Sequence, residues 1–201
     1  APTGPRPARN TDVTPTDPTA DDPRPDDAWL NRVSALLAKA ESTDFPEEAE
    51  ALYRRVIAIR AKVLGTDHPD YAWTLSNYSA WLLNHGRPAD ALPLARDIVA
   101  LRGKSLDDTH PVLASAYISL GRSLSGTGQL REAEAAIKES IALRRASLPP
   151  DHWTIASSQV ALAEVYLAGR RTALAEPLLS SAVTRLRETV GPDHPRTRPL
   201  V

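Results

Sequence analysis

From residue 26 onward, apolar side chains return every three or four positions, in stripes of roughly 15 to 17 residues interrupted by short polar phrases. One stripe reads Tyr71, Leu75, Tyr78 and Leu82, and the turn Asn84-His85-Gly86-Arg87-Pro88 ends it. A second reads Ala91, Leu94, Ala95, Ile98, Val99 and Leu101 and stops before Asp107-Asp108. The pattern predicts two helices, each about 25 Å long at 1.5 Å per residue.

This pair is one unit of a longer order. Asp67-His68-Pro69, Thr109-His110-Pro111, Asp151-His152-Trp153 and Asp193-His194-Pro195 follow one another at intervals of 42 residues. The same period connects Ala49, Ala91, Ala133 and Ala175, then Ile57, Val99, Ile141 and Val183, then Leu64, Leu106, Leu148 and Val190. Arg60, Arg102 and Arg144 share it too. Proline at 69, 111 and 195 suits a first helical turn, with the preceding aspartate or threonine available as a cap. The alanine column predicts close approach of the two helices in each pair. Equivalent histidines on stacked pairs would stand about 8 to 10 Å apart, too far to share one metal ion, so the histidine column reads as a helix start.

The run Ile59-Arg60-Ala61-Lys62-Val63-Leu64-Gly65-Thr66-Asp67-His68-Pro69 resembles the tetratricopeptide repeats in their 42-residue, kinesin-light-chain-like form. It recurs more weakly at 101–111, 143–152 and 186–195. The resemblance implies an all-α fold, a right-handed superhelical solenoid of about four helical hairpins over 27–195. Its repeats would be about 27–68, 69–110, 111–152 and 153–194, with a stub at 196–201. It also implies binding of proteins or peptides along the concave face lined by each first helix. Asn77 matches the asparagine such repeats use to hold a peptide backbone, whereas Ala35, Ser119 and Ala161 stand at the equivalent positions, which weakens a general peptide clamp.

Thr74, Asn77 and Trp81, continued by Ser119, Ser123 and Ser158, are the candidate groove residues. Arrays of this kind usually close with polar caps. Trp29, Leu30, Val33 and Leu37 at one end, and Leu178, Leu179, Val183 and Leu186 at the other, are read as apolar stacking faces. Head-to-tail stacking of such faces involves no closing rotation and builds a filament. The favoured reading is therefore a non-enzymatic structural subunit whose partner is a second copy. The alternative is a module of a larger protein that holds an extended peptide in its groove.

Composition narrows the chemistry. Among 201 residues there are 24 basic and 25 acidic side chains and no cysteine, which excludes disulfides, thiolate metal sites and cysteine nucleophiles. A net charge of −1 offers no basic surface for nucleic acid, and no apolar run is long enough for membrane insertion. Neither a Gly-x-Ser-x-Gly elbow, a phosphate loop nor a His-Glu-x-x-His zinc motif occurs, and no metal or other cofactor is expected. Gly126-Thr127-Gly128 reads as an inter-helix turn, and the arginine pairs at 54–55, 144–145 and 170–171 as solvated faces or inter-repeat links. Arginine outnumbers lysine 20 to 4, as in GC-rich bacterial genomes.

Residues 1–26 form a Pro/Thr-rich segment whose only apolar side chain larger than alanine is Val13, so alone it is expected to be extended. Thr3, Thr11, Thr14, Thr16 and Thr19 lie among its prolines, a composition suited to O-linked glycans. A sequence free of methionine that opens on Ala1 is expected to be processed, as by removal of a secretory signal. The expected location is extracellular or the cell surface, with the cytoplasm as the alternative.

Overall fold

The computed structural model describes residues 27–105 and 111–191. Eight α-helices and no strand occur among them: α1 (Asp27–Ser42), α2 (Pro46–Val63), α3 (Pro69–Asn84), α4 (Pro88–Ser105), α5 (Pro111–Gly126), α6 (Leu130–Ser147), α7 (Trp153–Ala168) and α8 (Thr172–Val190). They belong to two compact units, divided between Val63 and Leu64.

In the first unit α1 packs on α2. Trp29, Val33, Leu36, Leu37 and Ala40 of α1 are buried, as are Ala49, Leu52, Tyr53, Val56 and Ile59 of α2. Burial, with the Glu41 charge nearby, pushes the Tyr53 hydroxyl up to about 12. Across the loop, Lys39 pairs with Glu48 at 2.8 Å and the Thr43 hydroxyl donates to the same carboxylate at 2.8 Å. The Lys39 bond, then the Thr43 bond, holds Glu48 below the usual carboxylate range.

In the second unit the hairpins α3–α4, α5–α6 and α7–α8 stack in chain order, and the first helices α3, α5 and α7 adjoin in turn. Two of its first helices show the same start. The His68 ring accepts at Nδ1 from the Asp70 N–H at 3.2 Å, and His152 Nδ1 accepts from the Thr154 N–H at 3.3 Å. The cap is therefore the histidine itself, not the aspartate before it; a ring nitrogen reaches the N–H two residues on that a carboxylate would otherwise take. Pro69 and Pro111 open α3 and α5 as expected, while His110, His194 and Pro195 lie outside the described residues.

The turns inside the hairpins repeat as well. Arg87 N–H donates to the Leu82 carbonyl, Gln129 to Leu124 and Arg171 to Tyr166, the six-to-one bond that closes a helix on a left-handed residue. That residue is Gly86, Gly128 and then Arg170, with φ of 70°, 80° and 57°. Only the last carries a Cβ, so only the last turn is strained, by about 1–2 kcal/mol.

Small residues set the helix spacing. Ala91, Ala133 and Ala175 are fully buried, and a Cβ on Gly121 of α5 would overlap the Ile137 side chain of α6 and lie 3.2 Å from the Ala133 carbonyl. Gly121 is at the same repeat position as Ser79 and Ala163, both also fully buried. Two columns of small side chains thus let each hairpin of the second unit close. The remaining volume is filled by Ile137, Ile141, Leu162, Val165 and Tyr166, which form the largest cluster described.

Candidate functional site

Two places in the second unit expose more chemistry than a bare helix surface: a polar cleft on the first helices, and an open groove along α8.

The cleft has a volume of about 290 Å³ and is lined by Ser115, Ile118 and Arg122 of α5, Arg144 of α6, and Trp153, Thr154 and Ser157 of α7. Arg144 builds its floor. Its guanidinium donates to the Thr154 carbonyl and the Ser158 hydroxyl, both at 2.6 Å, and to the Ser115 hydroxyl at 3.4 Å. One side chain on α6 thereby ties α5 to α7. The position is that of the repeated arginine Arg60, Arg102 and Arg144; Arg144 is half-buried and Arg60 buried. Arg144 is thus a link to backbone and hydroxyl oxygens, where the sequence suggests a solvated face or an inter-repeat link for the pair 144–145. Arg122, on the rim, pairs only loosely with Glu164 at 3.9 Å, and both side chains are about half exposed.

A second network stands beside it. Glu134 of α6 bonds Lys138 at 2.6 Å, Arg171 at 2.5 Å and the Tyr166 hydroxyl at 3.1 Å. The Arg171 guanidinium lies 4.5 Å from the centre of the Tyr166 ring. Lys138, then Arg171 and Tyr166, hold the Glu134 carboxyl at about 2 against the opposing effect of burial. This is an inter-hairpin lock rather than a binding site.

The structure rearranges the expected groove. Thr74, Ser123 and Ser158 are fully buried, their hydroxyls turned back onto the carbonyls of Asp70, Ser119 and Thr154. They face neighbouring helices and cannot line an open surface. Asn77 and Ser119 are half-buried, and Trp81 stacks on His85 at 4.0 Å, engaged with its own turn. The more open columns lie one residue earlier: Trp73, Ser115 and the half-buried Ser157, and the exposed Ala80, Arg122 and Glu164. A one-residue step turns a helix by 100°, enough to move a column from groove to interface. The signal was present in the sequence, since Thr74, Ala116 and Ser158 are all small, as closely approaching first helices require.

The expected stacking faces are also corrected. Trp29, Val33 and Leu37 are buried, and Leu186 turns into its own hairpin. Leu178, Leu179 and Val183 are half-buried, and of the eight only Leu30 is exposed. Val183 lines the open groove of about 620 Å³ together with Leu167, Thr172, Glu176, Leu179, Ser180, Thr184 and Arg187. The five tail threonines, Thr3, Thr11, Thr14, Thr16 and Thr19, lie outside the described residues. Among the described residues no group of three acidic or histidine side chains could hold a metal ion, and no helix is long and apolar enough to cross a membrane.

Comparison with known proteins agrees with this geometry. No curated protein sequence matches the chain at a significant level. Among solved structures, the nearly identical kinesin-light-chain TPR-like repeats from Podosopora anserina share 24% identity, covering 86% of this chain and 82% of their own, with a TM-score of 0.67. BtubC (BKLC) from P. vanneervenii shares 17% identity over 87% of this chain and 70% of its own, with a TM-score of 0.70. At such identities the likeness is one of fold. Models of the tetratricopeptide repeat match residues 36–104 and 86–146, and a related one matches 155–196. With matched repeats extending over more than half its length, the chain belongs to the tetratricopeptide repeat family.

Proposed function

We propose that the chain is a protein-interaction scaffold whose first-helix face binds an extended segment of another polypeptide, with an acidic side chain of that segment seated at Arg122. Tetratricopeptide repeats generally bind proteins or peptides and are generally non-catalytic scaffolds, which supports the coarser part of this reading. The observation that carries the finer part is the weak Arg122–Glu164 pair at the mouth of the polar cleft. An exposed ion pair near 4 Å contributes little, so a ligand carboxylate can displace Glu164 at small cost. Ser115 and Ser157 supply hydroxyls for the segment's backbone, and Ile118 and Trp153 an apolar wall for a neighbouring side chain.

Panning a random peptide display library on the chain tests this. The expected result is enrichment of Asp or Glu beside an aromatic or aliphatic residue, lost with Arg122→Glu and retained with Arg170→Gly. Enrichment that ignores charge, or that survives Arg122→Glu, refutes the proposal. Head-to-tail growth into a filament, which the sequence favours, draws less support: Trp29, Val33, Leu37 and Leu186 are occupied within their own units.

A further inference from the structure

The groove along α8 repeats a face of α6. On α6, Lys138, Ile141, Ala142 and Arg145 line a pocket of about 370 Å³ with Gln159 and Leu162 of α7 and Leu178 of α8, and of the four only Ile141 is buried. Moved on by 42 residues, those four positions become Ser180, Val183, Thr184 and Arg187, and all four line the open groove. Among the described residues nothing plays the part of the next hairpin.

The tie between hairpins differs on α8. The arginine that ties α6 to the following first helix is replaced at the corresponding position by Leu186, which is buried in its own hairpin. The tie is missing.

The face instead complements itself. Positions 176, 180, 183 and 187 fall at spacings of four, three and four, the seam of a left-handed helix pair. When a second α8 is turned end for end about a point between Ser181 and Ala182, Glu176 lies opposite Arg187, Ser180 opposite Val183, and Leu179 opposite Thr184. Each large side chain meets a small one, and each charge meets its opposite. Both charged residues are exposed, and neither side chain has a bonding partner among the described residues. The apolar centre with a charged rim matches the layout of protein interfaces.

We infer that α8 is a two-fold self-association surface, in which two copies of the chain pair their α8 helices antiparallel through Glu176, Ser180, Val183 and Arg187. Such an isologous contact ends at the dimer, unlike head-to-tail stacking. A single helix pair buries less than a standard interface, so the dimer is weak, with Kd on the order of tens of micromolar.

Sedimentation equilibrium of the full chain, from about 1 to about 300 μM, provides the test. The expected result is a monomer–dimer equilibrium with no larger species. Glu176→Arg or Arg187→Glu alone should weaken it at least about tenfold, because the two-fold axis creates each like-charge contact twice. The combined E176R/R187E exchange should return Kd to within about threefold of the original, a recovery that loss of folding cannot imitate. Arg122→Glu should leave the dimer unchanged, separating this contact from the peptide cleft. A monomer throughout the range, mass growing beyond the dimer, or a double exchange no stronger than the single changes would each overturn the inference.

Discussion

Ile141 and Val183 occupy the same position in successive hairpins, yet the first is buried beneath α7 and α8 while the second lines an open groove. The two helices carry the same stripe, and the sequence treats the two positions alike. What separates them is the neighbour: α6 is followed by a hairpin that Arg144 and Glu134 lock in place, whereas α8 has Leu186 and Glu176 at those positions. In a stacked array burial belongs to a pair of units and not to either alone.

The strongest way to break this comparison is truncation in the two faces. Ile141→Ala should cost about 3 kcal/mol and Val183→Ala less than about 1 kcal/mol, measured by urea unfolding at a few micromolar chain. Equal losses would mean that Val183 is as closely packed as Ile141. A smaller effect is expected from the tie: Arg144→Ala should cost about 2 kcal/mol, since it removes charged hydrogen bonds to Thr154 and Ser158. If thermal unfolding of that variant matches the unaltered protein, the arginine column is not what holds the hairpins together.

The smallest expected effect sharpens the contrast between the two glutamates. Glu134→Gln should cost about 1 kcal/mol at neutral pH, and Glu176→Gln nothing measurable below the dimerisation range. Because the folded-state pKa of Glu134 is lowered to about 2 from 4.5, its contribution is complete above about 4.5 and disappears as the pH falls toward 2. The stability difference between Glu134→Gln and the unaltered protein should therefore close over that window. A difference that persists at pH 2 would show that the carboxylate charge is not its source.

The predicted candidate site shows where reading along the chain stops. The small side chains at 74, 123 and 158 are legible as small, but their smallness serves helix approach, and the surface they were expected to line belongs to the columns one residue earlier. The groove residues Ser115, Arg122 and Ser157 carry no motif of their own. Their relation to one another, and to Arg144 on a different helix, exists only once α5 and α7 lie side by side.

By itself the sequence determined the 42-residue period, the two helices in each repeat, the prolines and histidines at their starts and the alanine columns that close each hairpin. These follow from local rules, since capping, helical periodicity and side-chain volume act within a few residues or within one turn. Only the tertiary structure decided which column faces a groove, which carbonyl Arg144 reaches and how deeply Ile141 and Val183 are buried. Those outcomes depend on rotations of about 100° and on the presence of the next unit, neither of which a period alone can specify.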